Sequence, residues 1–409
     1  MSVGAVAEVP LRSHPVVRGL VAAEITSVLG TQLSVVAIPW LVLNLTGSPR
    51  YMGLVVAAQF AGMAVMGATS AAWVGRFSPR RVMLAADLLC APLIAALLVL
   101  HLFGALHIAV FAAVMFVVGG CAAPFLAGQQ AVLVGVTSDE TRLSRVSAIL
   151  QSAGRAGMLV GPVLAGLLIS LVDAPLVLLV DATSYAISAL IHWRCLPRTP
   201  APAPGRQGSL TAGLRALLAN RLTAGWSAGL VLAEVAWQGL FALLPVFAVV
   251  RYAGSPTVAG VLLSAFGCGA LVGALLVGVV LRRTSARTLA LVGRVVLCAA
   301  FAVLLLPLTL PSLIGCLVVV GLLNGQSNSS LSTVRMLSIP ENARPAALTV
   351  ATAIALGGGT AGWALAGVVA ESAGLHAAVL CAVSAQVAAT ALFVFGVTGT
   401  GRDPLPAKG

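Results

Sequence analysis

Long apolar runs, broken by short polar joints that carry most of the arginines, follow one another along the chain. A helix that crosses a bilayer needs roughly 20 mostly apolar residues. By that measure the sequence predicts twelve spans, six at 17–43, 51–74, 82–102, 106–134, 144–171 and 175–193, and six at 222–250, 257–281, 287–306, 312–331, 346–370 and 375–397. A Pro/Gly/Arg-rich stretch separates the two sets and reads as a linker. Within it Ser209 is placed to cap a short helix reaching Asn220, with Leu210, Leu214, Leu217 and Leu218 forming one apolar face for the membrane surface. The predicted organisation is a six-helix half at 1–196, a cytoplasmic linker with an interfacial helix at 197–220, a second six-helix half at 221–397 and a cytoplasmic tail at 398–409.

The two halves repeat one another. The stretch from Gly47-Ser48-Pro49 to Arg81 returns as Gly254-Ser255-Pro256 to Arg287, and one constant offset also lays Gly53 on Gly260, Arg76 on Arg283 and Arg80 on Arg287. A second correspondence joins Asp139-Glu140-Thr141-Arg142 to Glu341-Asn342-Ala343-Arg344, and the segment from Gly161 to Gly166 to that from Gly362 to Gly367. A repeat half a chain apart implies duplication of a large unit, not a short solenoid period. Parallel six-span repeats suit a transporter whose site lies between its halves.

Composition agrees. Hydrophobic residues make up 60% of the chain and charged residues 8%, with a mean hydropathy of +1.07. A soluble domain carries roughly a quarter charged residues, so this chain cannot clothe a water-facing surface. Its net charge of +12 would fit nucleic acid, but the distribution says otherwise. With both termini on one side, nineteen basic residues fall on that side, and only Arg50 and Arg251 fall on the other. That asymmetry predicts cytoplasmic termini and an even number of spans, and it accounts for the charge without nucleic acid. The seven cysteines and five histidines show no metal-ligand or disulfide spacing. The start of the chain has no cleavable signal pattern. No phosphate-binding GxxxxGK[ST] loop and no nucleophile or metal constellation is found, so no enzyme, no cofactor and no metal is expected, and energy would come from a gradient.

Over nearly its whole length the chain resembles the major facilitator superfamily. The loop after the second span, with Gly75, Arg76, Arg80 and Arg81, is similar to that superfamily's Gly-x-x-x-Asp-Arg-x-x-Arg-Arg signature. It lacks the opening glycine, where Ala71 stands, and the aspartate. In the second copy Arg282 stands at the aspartate position, ahead of Arg283 and Arg287. The resemblance implies that these arginines take part in a cytoplasmic gate, with Asp87 as a substitute acid. Gly157, Gly161, Pro162 and Gly166 in the fifth span resemble the "antiporter" motif of drug-exporting members. Small residues four apart also permit close helix packing, and proline bends a helix, with no bearing on the direction of transport. The segments around Ala37–Val42, Leu45–Ser48 and Val180–Tyr185 resemble the branch of enterobactin exporters and macrolide-efflux proteins.

Ionisable residues inside spans are functional candidates because the membrane interior penalises charge. Glu24 in the first span and Glu234 in the seventh stand near corresponding positions of the two halves, and Asp181 stands early in the sixth. These three are the proton-coupling candidates. A proton moving down the field is worth about 2.3 kcal/mol per 100 mV, enough to bias an alternating-access cycle. The competing reading makes each a paired or capping group. Arg155 is placed to meet Glu24 or an anionic substrate, or to snorkel to the interface, and Arg294 to snorkel. Gln32, Trp237, Gln238, Asn324 and Asn328, with Gln326, are expected on the cavity, where they would give an amphipathic ligand stacking and hydrogen bonds. Helix-to-helix hydrogen bonding is their alternative.

The expectation is therefore a monomeric, proton-coupled exporter of a hydrophobic or amphipathic small molecule in a bacterial inner membrane. Two alternatives remain: an importer on the same fold, and a transport-inactive scaffold or sensor.

Overall fold

The computed structural model describes residues 15–67, 69–136, 140–198, 210–219, 221–252, 254–281 and 284–398. Among them every regular element is a helix: α1 (Pro15–Thr46), α2 (Pro49–Gly67), α3 (Ser70–Phe77), α4 (Pro79–Leu102), α5 (Ile108–Val136), α6 (Glu140–Val172), α7 (Ala174–Cys195), α8 (Leu210–Leu218), α9 (Arg221–Arg251), α10 (Pro256–Val280), α11 (Ala286–Val303), α12 (Leu310–Ser338), α13 (Arg344–Ser372) and α14 (Gly374–Thr398), with one 3-10 turn at Glu341–Ala343. Eleven are long and apolar enough to cross a membrane. The apolar stretch of α11, Thr288–Val303, is shorter and stands where the ninth span was expected. The all-helical, two-half architecture expected from the sequence is the one observed.

The repeated Gly-Ser-Pro has a local physical cause. Gly47 and Gly254 hold φ of 65° and 69°, a conformation that costs glycine nothing and other residues a steric penalty. Each turn is followed by a proline opening the next helix, Pro49 for α2 and Pro256 for α10. Proline fits a helix's first turn, where its missing N–H has no intrahelical partner to lose.

Two elements depart from expectation. The second span is not one helix but two, α2 and α3, parted after Gly67. At the break Ser70 Oγ donates to Gly67 O at 2.9 Å and Thr69 Oγ1 to Met66 O at 3.2 Å. Hydroxyls that bond nearby carbonyls compete with the helical ladder in this way. In the linker, α8 turns Leu217 fully inward, and Gly213 lies against the Ala346 backbone of α13, while Leu214 and Leu218 stay exposed. Helix α8 thus docks on the second half through part of the expected apolar face. Ser209, Asn220, most of the linker and residues 399–409 lie outside the described residues.

Each half packs within itself through α1 on α7, α2 on α5 and α4 on α7, and through α9 on α13 and α14 and α10 on α12. Across the halves the main contacts are α2 on α13 and α6 on α10. These two crossings position the site.

Candidate substrate cavity and gate

Between the halves lies a cavity of about 270 Å³, and a second of about 370 Å³ adjoins it, lined by residues of the first half. They share Thr31, Gln32, Gln59, Met63, Val118, Met158 and Tyr185, so together they form one path. The first is walled by Phe60, Phe241, Phe266 and Trp363 and by Met63, Met115 and Met158. The second runs toward the arginine-rich end, past Glu24, Asp87, Phe125 and Gly154. Nothing lies within 4 Å of the place a Cβ would take on Gly154, so this part of the wall is open.

Among the described residues three carboxylates border this path, all from the first half, and no arginine, lysine or histidine lines either cavity. Asp181 on α7 lines the first cavity. Ser34 donates to its Oδ2, and Ser184 Oγ lies 3.4 Å from Oδ1. Glu24 lines the second and accepts from Gln129 Nε2 at 2.6 Å. Asp87 also lines the second, yet is 1% exposed. Its Oδ2 accepts from Ser188 Oγ at 2.9 Å and lies 2.8 Å from His192 Nδ1. Asp87 therefore sits inside the first half, paired with α7, and not at a latch between the halves.

The remaining expected residues divide. Gln32 lines both cavities, and Gln238 lines the first, accepting from Trp363 Nε1 at 3.0 Å. Trp237, one residue away and so turned about 100° around α9, points into the core. There its ring lies 4.9 Å from Phe301 and 5.3 Å from Phe266. Asn328 Nδ2 donates to Asn324 Oδ1 at 3.0 Å along α12, and neither lines the cavities. Arg155 is exposed on α6 and lines neither. Glu234 is half-buried on α9 beside Gln238 and within electrostatic reach of Arg294. Arg294, expected to snorkel, is 6% exposed because α11 places it in the helical interior.

The closed end of the path is built from glycine. A Cβ on Gly166 of α6 would meet Pro256 O at 2.6 Å and Thr257 Cα at 2.8 Å. A Cβ on Gly260 of α10 would lie 3.4 Å from Gly166 Cα and nearer still to Pro162 O. The other crossing is its counterpart: Cβ atoms on Gly53 of α2 and Gly367 of α13 would each lie 3.2 Å from the other's Cα. Thr257 Oγ1 donates to Gly166 O at 3.3 Å, and Glu371 Oε2 accepts from Ser48 Oγ and from Arg50 N. In the fifth-span motif, Gly157 and Gly161 pack on Val28 and Gln32 of α1, whereas Pro162 and Gly166 face the other half. At the opposite end Arg80 Nη2 donates to Trp193 O at 2.6 Å, tying α4 to α7 within one half. Arg76 lies 5.4 Å over the Phe77 ring, and Arg81 is exposed. Arg283 and the side chain of Arg287 lie outside the described residues.

Sequence reasoning missed His192, Ser188, Ser184, Ser34 and the Gln129–Glu24 contact. A signal was present: Asp181, Ser184, Tyr185, Ser188 and His192 recur at helical spacing down α7, and Glu24, Ser27, Thr31 and Ser34 down α1. Each is a polar stripe in an apolar helix, and the two face one another.

A bundle of two six-helix halves enclosing a cavity at their interface is the architecture of a membrane transporter. The family model of the Major Facilitator Superfamily matches residues 20–354, and the chain belongs to that superfamily. It is 29% identical over 378 residues to the multidrug efflux pump Tap of Mycolicibacterium fortuitum, covering 88% of this chain and 90% of that one. Among solved structures, the nucleoside transporter NupG superposes with a TM-score of 0.74 at 15% identity, covering 93% of this chain and 98% of NupG. A bacterial homolog of the human lysosomal transporter Spinster, inward-facing and occupied, gives 0.74 at 14% identity over 95% and 97%. At those identities the likeness is one of fold.

Proposed function

We propose that the protein is a secondary active exporter of amphipathic, preferentially cationic small molecules, driven by proton antiport. On this reading it sits in a bacterial cytoplasmic membrane as a monomer, with its arginine-rich face in the cytoplasm. The observation that carries it is the cavity: aromatic and methionine walls with three carboxylates and, among the described residues, no base. Apolar walls take a lipophilic body, aromatic faces attract organic cations, and a buried carboxylate is stabilised by a positive charge brought beside it. The similarity to Tap, named for multidrug efflux, supports export.

The cycle is alternating access. Cargo enters from the arginine-rich end while the glycine crossings are closed; the halves then rock, the crossings part and the other end shuts. Asp181, deepest of the three carboxylates that border the path, is the residue to hold the cation. Proton binding at the acids discharges it.

The test is efflux from cells preloaded with tetraphenylphosphonium or ethidium, with and without a protonophore, for the native chain, Asp181→Asn and Glu24→Gln. Native efflux that stops with the protonophore and is lost in Asp181→Asn supports the reading. Accumulation by cells expressing the native chain would make it an importer. No movement of any cargo in a panel extended to macrolides and siderophore-like compounds would overturn transport in favour of a scaffold.

A further inference from the structure

We propose that the Asp87–His192 pair is a proton-binding site separate from the substrate carboxylate Asp181, and that it couples proton entry to cargo release. The inference rests on the antiport reading above and assigns its proton to an imidazole that lies behind the cavity wall.

His192 is 1% exposed near the end of α7, and Asp87 is 1% exposed on α4. The 2.8 Å contact between Nδ1 and Asp87 Oδ2 orients the ring, with Ser188 Oγ on the same carboxylate oxygen. With Nδ1–H donated to the carboxylate, Nε2 is the atom left to take a proton. The ring stands against Phe125, centroids 5.6 Å apart, and Phe125 lines the second cavity. So does Asp87 itself. A proton leaving the pair by that cavity therefore reaches the arginine-rich face without crossing the first cavity.

The surrounding charges fit a site that exchanges a proton for a cation. From α1, Glu24 is within electrostatic reach of His192 and is held by Gln129 of α5. Helix α4 adds Cys90 beside Asp87 and Arg80 at the helix end; α5 adds Cys121, which lines the same cavity as Cys90. On α7 itself Asp181 and Tyr185 lie further along, and the α6 arginines Arg145 and Arg155 are exposed. A proton on Nε2 makes an imidazolium that offsets the charge of Asp87 and so weakens the negative field that Asp87 and Glu24 together offer a cation in the second cavity. A cation there in turn opposes that proton. Two like charges a few ångströms apart in a low-dielectric interior exclude one another, which is the exchange rule an antiporter needs.

The experiment uses the full chain reconstituted in proteoliposomes with tetraphenylphosphonium as probe. Uphill accumulation under an imposed pH gradient is compared with downhill counterflow, each across pH 5.5 to 8.5, for the native chain, His192→Gln and Asp181→Asn. Expected for His192→Gln is uphill accumulation reduced to that of protein-free vesicles while counterflow persists with a flattened pH profile. A merely structural role for His192 would lower both without changing the shape of the profile. Counterflow also reports that the variant has folded. If His192→Gln accumulates the probe uphill as the native chain does, this assignment is wrong and antiport stands. If the native chain itself shows no pH-driven accumulation, antiport falls and this site falls with it.

Discussion

The two halves of the molecule are built alike at their surfaces and unlike inside. The offset that lays Gly47 on Gly254 also lays Asp87 on Arg294, so one position of the repeat is a buried acid in one half and a buried base in the other. Around Asp87, Ser188 and His192 supply hydrogen bonds; Asp181 has Ser34 and Ser184, and Glu24 has Gln129. In the second half buried polar atoms are more often left unpaired. Of six buried side-chain atoms without a hydrogen-bond partner among the described residues, five belong to the second half: Ser264 Oγ, Arg294 Nε, Ser327 Oγ and both polar atoms of Gln386. A buried polar group left unpaired costs free energy, while a satisfied network fixes one geometry. The first half thus holds its charges in defined places, while the second adds mainly apolar and aromatic wall to the first cavity.

The comparison can be broken most forcefully where the halves agree. Gly53→Val and Gly260→Val each put side-chain atoms against backbone that has no rotamer to yield. Both are expected to abolish efflux and to leave the closed end accessible to a membrane-impermeant thiol reagent at a cysteine placed at Ser48 or Ser255. If only one does so, the two crossings are not equivalent. Next in size, Asp87→Leu strands His192 without its carboxylate and should cost about 3–5 kcal/mol in thermal unfolding of the detergent-solubilised protein. The double variant Glu234→Gln/Arg294→Met, which removes both members of the Glu234–Arg294 pair, should be neutral or stabilising by about 1–4 kcal/mol. Equal losses in the two would erase the distinction between the halves. Gln386→Leu replaces two orphaned polar atoms by a side chain of similar volume and should change stability by less than about 1 kcal/mol. Removing a donor from a satisfied acid, as in Ser34→Ala, should cost about 1–3 kcal/mol. Smallest of all, Arg155→Gln should leave efflux and its pH profile at native values, since the side chain is exposed and lines no cavity.

What the sequence made legible was whatever depends on length, period or repetition. Span number, the two-half plan and the Gly-Ser-Pro turns follow from runs of apolar residues and from local φ requirements, and each is recognisable in a linear string. Gln32 and Gln238 reached the cavity as expected, but Trp237 did not, because adjacent helical positions face different neighbours and only packing says which is inward. His192 was passed over since its partner is 105 positions away on another helix. The contact exists only once α4 and α7 are laid side by side. Arg294 was misplaced for a related reason. A charge near the end of an apolar run snorkels in an isolated helix, but α11 is short and packs against α12 and α14, which bury the guanidinium. The break between α2 and α3 was obscured by the continuous apolar character of 51–74, against which two hydroxyls and a glycine weigh little in a window average.

The closed end has one further consequence. Its two crossings are backbone laid on backbone at Gly53, Gly367, Gly166 and Gly260, and few directional bonds span them: Ser48 and Arg50 to Glu371, and Thr257 to Gly166. Surfaces of that kind adhere through many weak dispersion contacts, each about 0.1–0.2 kcal/mol, that depend on fit. They come apart without leaving a row of broken hydrogen bonds. Such a seal rests on the fit of its surfaces more than on directional bonds. In the alternating cycle proposed above, it is one that the halves can part and remake as they rock.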